Sequence, residues 1–104
     1  MPRVPDPLKR LKEAAAALKR LERGELPSPQ ELAAAPKLDW WYLTERYGHL
    51  ALGGVVTGHP NLPEGAHIVT SWLLWVAEDK RAARTLSRFY RLGRPFEDAL
   101  ATRN

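Results

Sequence analysis

Five arginines recur through the last quarter of the chain, Arg81, Arg84, Arg88, Arg91 and Arg94, with Phe89 and Tyr90 set among them. A guanidinium is a planar fork of N–H donors that stays charged and bonds phosphate or carboxylate bidentately. An aromatic ring beside it can stack on a nucleobase. The chemistry implied is recognition of an anion, and a nucleic acid is the anion that would use both parts. A second basic set lies near the other end. At about 100° per residue, Lys9, Lys12, Lys19, Arg20 and Arg23 fall on one arc of a helix, with Glu13 beside them. These ten cations and Tyr90 are the candidate binding residues.

Residues suited to catalysis are sparse. The chain has no cysteine, which excludes thiolate nucleophiles, disulfides and cysteine metal sites. No nucleophile-elbow or P-loop sequence occurs. Ser71 and Ser87 are the serines for a triad, but neither has an identifying context. His59 and His67 flank a turn that also carries Glu64. Two imidazoles and a carboxylate could hold a divalent ion, whereas Pro60 restricts His59 to extended geometry and gives it a loop-fixing role. The loop-fixing reading is preferred, so no catalytic residue, metal ligand or cofactor is expected.

The elements must place these groups within 104 residues, the size of one ordinary domain, and 44% apolar content suffices for one modest core. The net charge of +4 is unevenly distributed. Residues 1–24 hold seven Lys or Arg against three acids, and residues 80–104 hold seven against two. Residues 25–79 hold two against seven. The ends can therefore engage a polyanion, or they can pair with the acidic middle.

Asp6-Pro7 reads as a helix start and Gly24 as its stop, giving a basic amphipathic helix over 6–24. Its apolar arc is Leu8, Leu11, Ala14, Ala15, Leu18 and Leu21. Ser28 and Glu31 form a capping box that opens a short helix over 28–35, ended by Pro36. Between 38 and 93 the composition becomes aromatic and β-branched. Strands are predicted over Leu38–Thr44 and Leu50–Thr57, with Gly53-Gly54 weakening the second. After turn-rich residues 58–65, a third strand is predicted over Ala66–Ala77. Residues 80–93 are ambiguous. Their arginines and their apolar residues take opposite helical faces, yet Glu78–Arg81 also reads as a hairpin turn into a strand. On either long strand, adjacent or odd-spaced tryptophans (Trp40 and Trp41, Trp72 and Trp75) face opposite sides. One sheet face would then keep an indole for a homodimer or an aromatic binding face. Residues 94–104 read as a tail with one helical turn. The expected fold is α+β: one domain over 1–104, a helical hairpin packed on an antiparallel sheet of three to four strands.

Between Val56 and Pro95 stand a Gly58-His59-Pro60 loop, Thr70-Ser71, and a Ser87-Arg88-Phe89-Tyr90-Arg91-Leu92-Gly93 ending. The pattern resembles an uncharacterised family of short bacterial proteins, a domain of unknown function, on Gly58, His59, Pro60, Thr70, Ser71, Ser87, Arg88, Tyr90, Leu92 and Gly93. The resemblance brings no activity with it. It implies a β-hairpin for the Ser87–Leu92 segment, and this shifts the reading of 80–93 to strand.

The expected function is a non-enzymatic binding module for a nucleic acid, a nucleoprotein or an acidic protein surface. One form would be a phage or mobile-element inhibitor of a host defence complex such as a CRISPR effector. A self-associating structural protein is the alternative, and a small metal-dependent hydrolase using His59, His67 and Glu64 ranks below it. No apolar run is long enough to cross a membrane, and the first residues lack a signal-peptide stretch. A cytoplasmic setting is expected.

Overall fold

The structure, a computed structural model, describes residues 7–101. The Asp6 helix cap and the last three residues of the tail lie outside them. The chain from Lys37 begins with two long strands, β1 (Lys37–Arg46) and β2 (His49–Thr57), paired antiparallel. Tyr47 and Gly48 join them with φ of 50° and 78°, the two positive values of the tight turn whose twist suits a hairpin. The register slips between Asp39 and Tyr42, where Trp40 and Trp41 together oppose Gly54. This is a β-bulge, and Trp40 takes a positive φ of 52° to make it. The bulge turns Trp41 inward, where its Nε1 donates to the Gly93 carbonyl at 3.1 Å, and leaves Trp40 beneath the Arg94 guanidinium, 4.0 Å from its ring centroid. Gly53 lets the Tyr42 ring lie across the backbone: a Cβ there would stand 2.2 Å from the ring.

Four short strands complete the sheet: β3 (His67–Val69), β4 (Leu73–Val76), β5 (Ala82–Thr85) and β6 (Phe89–Leu92). The order is β3-β2-β1-β6-β5-β4, with β1 and β6 parallel and the other pairs antiparallel. The sheet thus has six strands rather than three or four, and it is not wholly antiparallel. The single strand predicted over Ala66–Ala77 is two strands at opposite edges. That placement dictates the shape. A flat six-stranded sheet would separate its edges by about 24 Å, whereas the four residue steps from Val69 to Leu73 span at most about 14 Å. The sheet must therefore curl toward closure. Thr70–Trp72 bridges the gap: the Thr70 amide donates to the Leu52 carbonyl at 2.8 Å, and the Leu86 amide to the Trp72 carbonyl at 2.8 Å.

Inside the curl lie Leu38, Leu52, Val56, Ala83, Tyr90 and Leu92, flanked by Trp41, Ile68, Leu73 and Val76. Outside it are the helices α1 (Pro7–Glu22), α2 (Pro29–Ala34) and α3 (Phe96–Ala101). Only α1 is long. It stops at Gly24, φ 83°, and the Glu25 amide closes back on the Arg20 carbonyl at 2.9 Å, as a left-handed C-cap requires. Its apolar arc is covered only in part. Ala14 and Ala17 are buried, but Leu8 and Leu11 are half or more exposed, and Ala15 is exposed. In α2 both halves of the predicted capping box form, Glu31 N donating to Ser28 Oγ and Ser28 N to Glu31 Oε1, each at 3.1 Å. No helix of the described residues is long and apolar enough to cross a membrane.

Two ion pairs fasten this frame. Arg94 binds Asp39 through Nη2 at 2.8 Å and through its amide at 2.8 Å, securing the segment after β6 to β1. Arg20 forks onto Glu31 at 2.7 and 3.2 Å, joining α1 to α2. The Arg94 hydrogen bond holds the Asp39 carboxyl down to about 2, and the Arg20 hydrogen bond, with the Ser28 amide, holds Glu31 at about 2. Both values lie below those of an unfolded chain, so the unfolded state takes up protons first as pH falls. Stability from these pairs is complete above the ordinary carboxyl range and is lost as pH drops toward 2. Thermal melts should fall across that window, and Asp39→Asn should flatten part of the fall while lowering the neutral-pH midpoint. An unchanged acid profile in the variant contradicts the pairing.

Candidate anion-binding clefts

Incomplete closure leaves a cleft of about 590 Å³ between the two sheet edges. Its floor is the Thr70-Ser71-Trp72 bridge, one wall is the Leu86–Arg88 turn between β5 and β6, and the other is the long β2–β3 loop carrying His59. Local chemistry sets each wall. Thr70 Oγ1 accepts from the Leu52 amide at 3.0 Å and donates to the Ser71 carbonyl at 2.9 Å, which turns the chain out of β3. Thr85 Oγ1 accepts from the Ser87 and Arg88 amides at 3.2 and 3.3 Å, a side-chain cap that makes the β5–β6 turn. Ser71 and Ser87 then meet across the cleft, Oγ to Oγ at 2.9 Å. The Asn61 amide donates to His59 Nδ1 at 3.0 Å, so in the neutral ring the proton sits on Nε2.

The electrostatics are one-sided. Arg10, Arg46 and Arg88 line this cleft with His49 and His59, and among the described residues no aspartate or glutamate does. Burial, and then the Arg88 charge, push the His59 pKa below its ordinary value. Aromatic surface stands at the same place. Trp72 is 47% exposed and Tyr47 is 89% exposed. The Trp72 indole stacks on His49 at 4.5 Å between centroids, and the Arg46 guanidinium lies 5.6 Å from the Tyr47 ring. Tyr47 occupies the left-handed region, at a cost of roughly 1–2 kcal/mol for a residue with a Cβ.

Beyond the Ser87-Arg88 turn lies a second, smaller cleft of about 370 Å³, between α2 and the β5–β6 hairpin. Arg84, Arg88, Ser87, Phe89, Gly58 and Glu31 are among its lining residues. Arg84 is only 8% exposed, and its guanidinium lies 5.0 Å from the Phe89 ring centroid. Burial pushes its pKa down. The Nε atoms of Arg84 and Arg88 are both sealed from solvent without a hydrogen-bond partner.

The predicted arginine ladder is thus not one surface. Arg84 and Arg88 converge on the smaller cleft, with Arg84 on β5 and Arg88 in the turn. Arg81 lies in the turn before β5, its amide held by Asp79 at 2.9 Å. Arg91 is spent on the Ala35 carbonyl at 3.1 Å, and Arg94 on Asp39. Tyr90 is buried in the core and reaches the large cleft from below, so it is not an exposed stacking ring. Lys9, Lys12 and Lys19 stay on the outer face of α1, apart from both clefts, while Arg20 and Arg23 face Glu25 and Glu31. His59, His67 and Glu64 do not converge on one point: His59 lines the large cleft, His67 Nε2 meets Tyr42 Oη at 2.7 Å, and Glu64 accepts from the Gly58 amide. Among the described residues no group of three potential ligands could hold a metal. Arg10, Arg46, Tyr47 and His49 were not among the candidates. The Tyr-Gly pair between two strand patterns was the available sign for the rim.

The fold is α+β: an N-terminal helix packed on a curled six-stranded sheet, with an arginine-lined cleft where the sheet fails to close. The chain belongs to a family of unknown function, DUF6634, whose model matches residues 8–103. No curated protein and no solved structure matches it. Of the residues that carry the resemblance described above, all but Leu92 and Gly93 line the two clefts, although they come from three separate stretches of chain.

Proposed function

We propose that this protein is a non-enzymatic binding module that takes single-stranded nucleic acid into the large cleft, alone or as part of a nucleoprotein. The observation that carries this reading is a cleft lined, among the described residues, by three arginines and no carboxylate, and rimmed by the exposed rings of Trp72 and Tyr47. Cations fix phosphates, and exposed rings accept bases whatever their sequence. Titrating fluorescent single-stranded DNA and RNA at several salt concentrations tests it. Three phosphate contacts should give a log–log slope near −2, from about −0.7 per contact on a single strand. A flat salt response, or no binding at low salt, removes the reading.

His59 supplies a second check. An anion beside Arg88 offsets the charge that helps depress the His59 pKa, so the pKa should rise on binding, and affinity should increase as pH falls through the bound-state value. Ring resonances followed by NMR with and without oligonucleotide measure this directly. A pKa unmoved by saturating ligand contradicts it.

One observation favours self-association as a second reading. A groove of about 500 Å³ between β1, β4 and α3 is lined by Trp41, Leu43, Val76, Phe96 and Leu100 among others, and Leu43, Phe96 and Leu100 are each more than 40% exposed. Sedimentation over a wide concentration range decides it; a monomer throughout removes it.

A further inference from the structure

We propose that the smaller cleft is a phosphomonoester subsite, in which Arg84 and Arg88 grip the terminal phosphate of a strand whose following nucleotides occupy the large cleft. This rests on the nucleic-acid reading for its second half but not for its first.

The site is built rather than incidental. Arg84 projects from the middle of a four-residue strand, is more than nine-tenths buried, and forms no ion pair among the described residues. Its Nε and that of Arg88 are sealed and unpaired, and a buried unpaired donor is the arrangement that folded chains ordinarily avoid. The neighbouring acids do not answer it. Glu31 lines the cleft, but Arg20 and the Ser28 amide already take both its carboxylate oxygens. Glu13 and Glu31 act on Arg84 only through their charge. Two guanidiniums thus line one cleft with their like charges opposing each other, and since both Nε atoms are sealed it is the Nη groups that a ligand would meet.

A phosphomonoester suits this arrangement better than an internal phosphodiester. It carries nearly two negative charges near neutral pH and three terminal oxygens for two planar forks. A diester has one charge and two such oxygens, and its chain must also leave the site. Arg88 and Ser87 line both clefts, so a phosphate seated here adjoins the large cleft.

The test compares single-stranded oligonucleotides of one sequence ending in a phosphate at the 5′ end, a phosphate at the 3′ end, or hydroxyls only, binding to the full chain. Inorganic phosphate binding is followed in parallel by phosphorus NMR. A phosphate at one end should tighten binding about tenfold or more, the scale of a charge-assisted bidentate contact. Arg84→Gln should abolish that preference and leave hydroxyl-ended binding within about twofold, because Arg84 does not line the large cleft. Arg84→Lys, which keeps the charge and loses the fork, should lose most of the preference, and it serves if the glutamine variant does not fold. Equal binding of all three oligonucleotides by the wild type overturns the subsite and leaves the large cleft standing. Saturable, Arg84-dependent phosphate binding without any oligonucleotide binding keeps the subsite and overturns the nucleic-acid reading. Binding of neither ends both.

Discussion

Replacing Leu38 by alanine should cost about 2–5 kcal/mol, the range for a buried leucine truncated in a core that relaxes incompletely. Leu38 is wholly buried at the centre of the apolar cluster. It sits on β1, the strand that pairs with β2 on one side and β6 on the other, and its side chain also fills the space above Gly54. The void would therefore open where both halves of the sheet meet. In a domain of this size each kcal/mol moves the melting midpoint by about 4–8 °C, so a fall of about 8 to 40 °C is expected. Leu38→Met, which nearly conserves volume, should cost less than about 1.5 kcal/mol. Urea unfolding of the two variants measures the difference. A loss below about 1 kcal/mol in the alanine variant would mean that the curl is not packed around Leu38.

The second large effect concerns binding. Trp72→Ala removes a ring at the mouth of the cleft whose backbone carbonyl, not its side chain, holds the bridge to Leu86. The fold should survive, while single-stranded nucleic acid should bind more weakly by about 1–3 kcal/mol, roughly 5- to 150-fold in Kd, the usual worth of one base–aromatic stack. Arg46→Ala should act differently. Its guanidinium reaches the Val69 carbonyl at 3.1 Å and lies beside Tyr47, so its loss should weaken binding and also make the salt slope shallower by about 0.7. A tryptophan variant that binds like the wild type, or an arginine variant that keeps the full salt slope, would separate that residue from the ligand.

The sequence displayed its local structure more clearly than its closure. The Gly24 stop, the Ser28–Glu31 capping box and the two strands on either side of Tyr47-Gly48 follow from short-range rules, and each forms. The run from Ala66 to Ala77 reads as one strand because its apolar residues continue on both sides of Thr70-Ser71. What divides it is a tertiary bond: the Thr70 hydroxyl takes the Leu52 amide, and the chain leaves one sheet edge for the other. The arginines of residues 81–94 carry a helical period, but strand pairing with β4 and β6 and the Thr85 hydroxyl cap override it. Parallel pairing of β1 with β6 joins residues more than fifty positions apart, and no local pattern signals such a pairing. The clefts were legible only in pieces. His59, Ser71, Ser87, Arg88 and Trp72 were each noticed for separate reasons, and their convergence depends on the curl. Lys9, Lys12 and Lys19 of α1's basic face, the plainest charge pattern in the sequence, lie apart from them.

That separation makes the location of binding the decisive observation. In an amide and indole NMR map of the isotope-labelled protein titrated with single-stranded oligonucleotide, the largest shifts should fall on Tyr47, His49, Thr70, Ser71, the Trp72 indole N–H, Ser87 and Arg88. Shifts confined to Lys9, Lys12 and Lys19 on the outer face of α1, with the Trp72 indole unmoved, would contradict the account.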